Sequence, residues 1–157
     1  MIRLSPHFTL AELTTTSTGL PNQPSAADRV RLVELCSHVL EPWRAVVGPL
    51  RVTSGYRAWR VNAAVGGSIT SQHMRGEAAD VVPLTVPLAD AWHRLLELVA
   101  GGLPVDQAIV YQRPAGQGWV HVSYTSARAV RRELLVQPQG IRGYVAWSGW
   151  SGPLVTG

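Results

Sequence analysis

Residues 71–80 hold a histidine and an aspartate seven positions apart, His73 and Asp80, with Gly76 between them. Further along, the strand-like run at 119–124 holds a second histidine, His121. Two imidazoles and one carboxylate form a ligand set that suits a catalytic zinc ion and leaves a fourth position for water. The spacing therefore predicts a metal-dependent hydrolase whose ligands come from separate stretches of the chain.

The local sequence around each ligand supports this interpretation. Side chains alternate along a strand, so His121 should share a face with Trp119 and Ser123. Gly76 lets the chain turn so that the ligands on either side of it can meet one ion. Cys36 is the only cysteine, and imidazole with carboxylate suits zinc best. A purely structural role for these residues stays open as the alternative, since a single histidine on a strand is often only packed and an aspartate before two valines often only caps a turn.

Composition narrows the class of protein. A chain of 157 residues, 46% hydrophobic and 15% charged, is typical of one globular domain with a real core. We expect no membrane span, because no apolar run reaches about 18 residues, and no secretory signal at the N-terminus. The net charge is +4, but the arginines that carry the positive charge are scattered, so no specific nucleic-acid partner is expected.

Periodicity predicts an α+β fold with a single domain over residues 1–157. Residues 1–24 are expected to form a loop segment, and Ser25 with Asp28 forms a capping-box pattern. The helix that follows is predicted over residues 26–47, kinked or broken by Pro42. A further long helix is predicted from Pro87 to the glycines at 101–102, and a short one over 60–65. Strands are predicted at 50–54, 81–82, 108–111, 119–124 and 134–136, and a Trp/Gly-rich tail at 138–157.

Three motifs together carry a family resemblance: Ser-Gly-Tyr-Arg at 54–57, Ser-Gln-His-x-x-Gly-x-Ala-x-Asp at 71–80, and Trp-Val-His-Val-Ser at 119–123. They resemble the zinc D-Ala-D-Ala carboxypeptidases, peptidoglycan peptidases that share a fold with the Hedgehog signalling domain. The segment at 7–12 is similar to the opening of the short phage and prophage members. The resemblance covers about residues 6–133. It implies a Hedgehog/DD-peptidase-like fold, in which a small antiparallel sheet packs against helices and zinc lies in a cleft on the sheet.

The resemblance also implies roles for individual residues. Arg57 would pair with a substrate carboxylate, which suits a planar, two-pronged donor; without the resemblance it would be an ordinary surface arginine. Ser71 and Gln72 would line the same cleft and bind substrate. The implied zinc ligands are His73, Asp80 and His121.

The general base is missing from the positions where the family places it. Zinc lowers the pKa of a bound water to about 7, and a nearby acid should handle that water's proton. In the family this acid often lies three positions before the second histidine, which is Gly118 here, or ends the strand at 106–112, where none occurs. Asp106 is the first choice among the remaining acids, with capping or support of the site as its competing role. Alternatively, Tyr111 or Gln112 positions the water.

Two other acids are weaker choices for the base. Glu77 is expected to point outward from the ligand loop, and Glu133 to form ion pairs with the arginines before it.

Two hypotheses about function remain open at this stage. In the first, the protein is a zinc-dependent peptidoglycan peptidase, a D,D-carboxypeptidase or an L-Ala-D-Glu-type endopeptidase, that hydrolyses a cell-wall peptide bond. In the second, it is a catalytically weakened structural or wall-binding part of a phage tail or related particle that keeps the zinc. The first is favoured because the ligand set and Arg57 are intact. We expect a protein that stays in the cytoplasm until lysis or belongs to a virion-like particle, and that acts at the cell wall.

Overall fold

The computed structural model describes residues 1–154, so the last three residues of the predicted tail lie outside the described residues. Helices and strands together build an α+β fold around one six-stranded sheet. The α-helices are α1 (Leu10–Leu13), α2 (Ala26–Leu35), α3 (Glu41–Val47), α4 (Trp59–Ala64) and α5 (Leu88–Ala100). The strands are β1 (Leu50–Ser54), β2 (Ala78–Pro83), β3 (Gln107–Gln112), β4 (Gly118–Ser123), β5 (Glu133–Gln137) and β6 (Val145–Ala146).

The sheet has the order β1-β2-β4-β3-β5-β6 and is mixed, whereas the family resemblance implied an antiparallel sheet. All neighbours are antiparallel except β3 and β5, which run parallel. The reason lies at the start of β3, where Gln107 pairs with Ser123 at the end of β4 and with Glu133 at the start of β5. After β4, a short connection crosses this end of β3, so that β5 begins beside the start of β3 and runs in the same direction.

The predicted helix over residues 26–47 is present, with a change of winding in its middle. The capping box is confirmed, because the Ser25 side chain accepts a hydrogen bond from the backbone of Asp28 and the Asp28 side chain reaches back to Ser25. A π-helical stretch, Cys36–Leu40, joins α2 to α3. Pro42 follows directly in the first turn of α3, where its missing N–H is tolerated. The Cys36 thiol is buried, and burial raises its pKa to about 12.

The sheet has one face towards the helices and the other towards a cleft. On the helix side, alternate residues of the strands are fully buried among the tryptophans of α3 and α5, and the Trp43 indole donates a hydrogen bond to the Ala91 carbonyl 2.9 Å away. The helix-side strand residues include Ala79, Val81, Ala108, Val110, Val120, Val122 and Val136. The residues between them, which include Asp80 and His121, therefore point to the opposite face of the sheet.

The N-terminal segment is more ordered than the sequence predicted. Thr9 and Glu12 form a second capping box that starts α1, and Phe8 and Leu13 are buried in the core. The Leu13 carbonyl accepts a hydrogen bond from the Tyr56 amide at 2.7 Å. This hydrogen bond holds the backbone after β1 next to α1. The Thr-x-x-Glu pattern at residues 9–12 was the sequence signal for the start of α1.

The C-terminal tail wraps around the edge of the sheet. Strand β6 pairs with β5, and the Trp147 ring meets the Trp92 ring of α5 edge to face, with centroids 5.5 Å apart. Trp150 and Leu154 also pack against the core. The tail therefore covers apolar surface of this same domain.

Candidate metal centre

Three side chains from three separate segments converge on one point. The His73 Nε2 atom lies 3.2 Å from His121 Nδ1 and 3.3 Å from Asp80 Oδ1, and His121 Nδ1 lies 2.9 Å from Asp80 Oδ1. All three residues are less than a tenth exposed. They are the three residues that the sequence singled out, and they form a group that could hold a metal ion.

The spacing of these atoms fits a small tetrahedral cation. Zinc bonds nitrogen and oxygen at about 2.0–2.1 Å, which places neighbouring ligand atoms of a tetrahedron about 3.3 Å apart. The observed separations of 2.9–3.3 Å are close to that value. The donor chemistry fits as well. His73 Nδ1 lies 2.6 Å from the Gly55 carbonyl, so its proton points there and Nε2 presents a lone pair to the other two ligands.

Sheet pairing brings two of the ligands together. Asp80 on β2 and His121 on β4 are direct partners in the antiparallel register, so their side chains leave the same face side by side. The third candidate ligand, His73, lies in a 3₁₀ turn, Gln72–Arg75, and its backbone amide donates to the Ser71 hydroxyl at 3.3 Å. Gly76 ends that turn with φ of 72°, the left-handed conformation that lets the chain swing directly into β2.

The second oxygen of Asp80 is bound by an arginine. Arg57 Nη2 lies 2.8 Å from Asp80 Oδ2, and Arg57 Nε donates to the Ser54 hydroxyl at 2.8 Å. Burial acts to raise the pKa of the Asp80 carboxyl, but His73 and His121 outweigh it and hold that pKa well below its ordinary value. Burial lowers the pKa of His73, which favours the neutral imidazole that a metal requires.

The converging atoms lie in an open cleft of about 630 Å³ on the outer face of the sheet. Arg57, Ser71 and Gln72 line this cleft, as the sequence predicted. Its other wall is aromatic: the Tyr111 and Trp119 rings stack with centroids 4.6 Å apart.

Asp106, the first choice for the base, is fully buried and bound by other groups. Burial would raise the pKa of its carboxyl, but hydrogen bonds from Arg128 and Arg131 hold that pKa far below its ordinary value. A carboxylate held in this way is a poor proton acceptor. Its surroundings favour the supporting role, because Gln72, next to a ligand, donates to it at 3.1 Å.

The two non-acidic alternatives point to opposite faces. Tyr111 lines the cleft, and its hydroxyl lies 3.0 Å from the hydroxyl of Tyr144. Gln112, the next residue on β3, is buried on the other face, where its amide donates to the Pro153 carbonyl at 3.2 Å. Of the two, only Tyr111 lines the cleft.

The remaining acids are also engaged. Glu77 does not point outward as expected; it is 4% exposed, and its carboxylate binds Arg75 and Thr125. Glu133 accepts a hydrogen bond from Gln107 at 2.6 Å and lies 3.5 Å from Arg131, as the expected pairing with an arginine requires.

Sequence reasoning missed three residues that line the cleft: Arg128, Arg131 and Tyr144. The arginines lie in the irregular connection between β4 and β5, and the tyrosine lies in the Gly-rich tail. No periodicity or motif spacing marks such positions. Only the doubled arginine at 131–132 offered a sequence signal.

Fold and site together define an α+β domain with one candidate metal centre in an open cleft. The family model described as Peptidase M15 matches residues 6–123, well over half of the chain. The chain therefore belongs to the Peptidase M15 family, the zinc D-Ala-D-Ala carboxypeptidase-like peptidases, and the predicted family is confirmed. No match among curated proteins was found.

The family match includes all three converging residues and ends at Ser123. The connection to β5 and the tail thus lie beyond it. Within residues 1–154, none of the helices is long and apolar enough to cross a bilayer.

Proposed function

We propose that this chain is a zinc-dependent peptidase that hydrolyses a bond in the peptides of the bacterial cell wall. The bond belongs either to a D,D-carboxypeptidase reaction or to an L-Ala-D-Glu-type endopeptidase reaction. The observation that carries the proposal is the convergence of two imidazole nitrogens and one carboxylate oxygen within 3.3 Å of one another in an open cleft. Family membership supports the peptidase class.

His73, Asp80 and His121 would hold the ion. When bound, zinc polarises a peptide carbonyl and acidifies water. The protein's own contribution begins with orientation, because the Gly55 carbonyl fixes the His73 ring and Arg57 fixes the Asp80 carboxylate. Such supporting hydrogen bonds keep ligands in a geometry that would otherwise cost free energy to adopt on binding.

Arg57 is placed to orient the substrate. Its Nε and Nη2 atoms are engaged by Ser54 and Asp80, while among the described residues Nη1 donates to no acceptor. A guanidinium with one edge fixed and another free can receive a substrate carboxylate at a defined distance from the ligands. Ser71 and Gln72 form the adjoining wall.

Tyr111 is placed to donate a hydrogen bond to the substrate. Burial raises the pKa of its phenol, and the hydrogen bond with Tyr144 adds to that effect, so the group stays protonated at neutral pH. A protonated phenol at a cleft wall donates to developing negative charge rather than accepting a proton. We assign Tyr111 this donor role.

A second candidate function rests on a specific observation. Among the described residues, Asp80 supplies the only carboxylate that lines the cleft. Loss of a general base typically lowers a rate by about 10²–10⁴. The alternative is therefore a protein that keeps zinc and binds wall peptides with little turnover, such as a structural component of a phage tail or related particle.

Incubation of the zinc-loaded protein with purified muropeptides, with products identified by mass, distinguishes these functions. Released D-Ala indicates the carboxypeptidase, and a released stem peptide indicates the endopeptidase. Binding of muropeptides without any product, while zinc stays bound, favours the structural alternative. The His73→Ala variant is the control, because it should lose zinc and any product together.

A further inference from the structure

The cleft contains a second cluster of charged side chains, built on the buried Asp106. Arg128 binds both carboxylate oxygens, with Nη1 2.7 Å from Oδ1 and Nη2 3.0 Å from Oδ2. Arg131 binds them through its backbone amide at 2.9 Å and through Nη2 at 2.9 Å. Gln72 completes the set at 3.1 Å. The buried Asp106 carboxylate therefore fixes the position of both guanidinium groups.

The cluster presents positive charge to the cleft. One buried carboxylate faces two guanidinium groups, whose side chains are 47% and 46% exposed, and both arginines line the same cleft as the metal ligands. Glu133 forms an ion pair with Arg131 at 3.5 Å, which offsets part of the charge of that arginine, and it also accepts a hydrogen bond from Gln107. Arg128 has no acid partner other than Asp106 among the described residues.

Anchoring the connection between β4 and β5 does not by itself account for two arginines. The Arg131 backbone amide and side chain already tie that segment to Asp106. A half-exposed second ion pair adds little stability, while ordering a long side chain costs conformational entropy. A guanidinium held in one orientation at a cleft wall is, however, preorganised to bind an anion.

We propose that Arg128 and Arg131 form a second carboxylate-binding subsite, distinct from Arg57. The substrate is then an acidic peptide with at least two carboxylates, one near the metal centre and one at this subsite. This inference rests on the proposed function, since it names the class of wall peptide that the cleft selects. A stem peptide with a free α-carboxylate on its γ-linked D-Glu belongs to that class, and the same peptide with this carboxylate amidated does not.

The test compares these two synthetic stem peptides in NMR titrations of the zinc-loaded protein. The spectra report binding and reveal any cleavage at the same time. We expect the free-carboxylate peptide to bind about tenfold more tightly than the amidated one, the gain typical of one charge-assisted pair. Arg128→Ala should remove that difference. Arg132→Ala, which makes the same charge change at an exposed residue outside the cleft, should preserve it.

An unchanged tenfold preference in Arg128→Ala would overturn the proposal. Arg128→Lys provides a second variant that keeps the charge if the alanine variant does not fold. It should still weaken the preference, because an ammonium group cannot match the two-pronged geometry.

Failure of both stem peptides to bind the wild type would count against the proposed function instead. In that case, binding of acetyl-diglutamate to the wild type and the two alanine variants tests the subsite. Binding that Arg128→Ala weakens and Arg132→Ala does not would support the subsite, and either no binding or equal binding by all three proteins would overturn it.

Discussion

Arg57 and Asp80 form an ion pair through one oxygen of the Asp80 carboxylate, while the other oxygen faces the two histidines. Oδ2 lies 2.8 Å from the Arg57 guanidinium, while Oδ1 lies 2.9 Å from His121 and 3.3 Å from His73. The arginine thus fixes the rotation of the carboxylate and leaves Oδ1 to the candidate metal. Arg57 therefore connects the candidate ligand set with the cleft wall that Ser71 and Gln72 form.

Zinc should stabilise the wild type and not the His73→Ala variant. Free zinc at about 100 times its dissociation constant should raise the free energy of unfolding by about 2.7 kcal/mol, because the ligands converge only in the folded state. Thermal melts with and without zinc measure this shift. The matched control is His93→Ala, which removes an exposed imidazole on α5 away from the site. An equal zinc-dependent shift in His73→Ala would contradict the assigned ligand set.

Arg57→Gln should lower affinity for peptides that end in a free carboxylate by about 10–100-fold, since a charge-assisted, two-pronged pair is lost. Affinity for the C-terminally amidated peptide should change little. Isothermal titration with both peptides measures the difference, and zinc affinity measured alongside shows whether the ligand centre is intact. Arg60→Gln is the control, because Arg60 is exposed and its guanidinium lies over the Trp59 ring, 5.1 Å from the ring centroid. An equal loss of affinity for both peptides would mean that Arg57 supports the metal centre and does not bind the substrate carboxylate.

The three candidate ligands and the strands around them could be predicted from the sequence because each lies in a local motif, and the three motifs together carry the family resemblance. His121 stands in an alternating strand, and Gly76 marks the turn that separates His73 from Asp80. The start of α2 followed from the Ser25 capping box for the same reason. Each of these features depends on residues within a few positions of one another.

The remaining features depend on contacts between distant residues. The parallel pairing of β5 with β3 results from the path of the connection after Ser123. Burial of Glu77 depends on Thr125, and the approach of Tyr144 to Tyr111 depends on where the tail crosses the sheet. Neither spacing nor composition encodes such contacts. The expectation for Glu77 was therefore wrong, that of an antiparallel sheet holds for four of the five strand pairings, and Tyr144 was overlooked.

Tyr111→Phe should lower the rate of peptide hydrolysis by about 10²-fold at unchanged zinc affinity. The ring keeps its stacking on Trp119, so only the hydrogen-bond donor is lost. Tyr144→Phe should have a smaller effect of the same sign, because its hydroxyl bonds that of Tyr111. Steady-state kinetics on muropeptides measures both. Tyr124→Phe, whose ring stacks on His38, is the control, and a wild-type rate in Tyr111→Phe would remove the phenol from the mechanism.

Introducing an acid with Gly118→Glu should fail to raise activity, although the family resemblance led us to expect an acid at this position. Gly118 has φ of 137°, and a Cβ there would overlap the Tyr111 carbonyl oxygen. We expect Gly118→Glu and Gly118→Ala to lose at least about 2 kcal/mol of unfolding free energy. Gly66→Ala separates strain from overlap, since Gly66 also has positive φ but faces open space. A stable, more active Gly118→Glu protein would show that the strand can adjust.

Asp106→Asn should destabilise the fold by about 2–4 kcal/mol at neutral pH, because two arginines lose the charge that binds them. The hydrogen bonds from Arg128 and Arg131 outweigh burial and hold the folded-state pKa of Asp106 below its unfolded value of about 3.9. A lowered folded pKa means that this stabilisation is complete above the unfolded pKa and is lost as pH falls towards the folded one.

The difference in unfolding free energy between the wild type and Asp106→Asn should therefore be constant from about pH 7 to pH 5 and shrink below about pH 4. Urea denaturation at several pH values measures it. Asp90→Asn provides the matched control, because Asp90 is exposed on α5 and the same substitution there should cost little at any pH. A difference that stays constant down to pH 3 would mean that the arginines do not stabilise the Asp106 carboxylate.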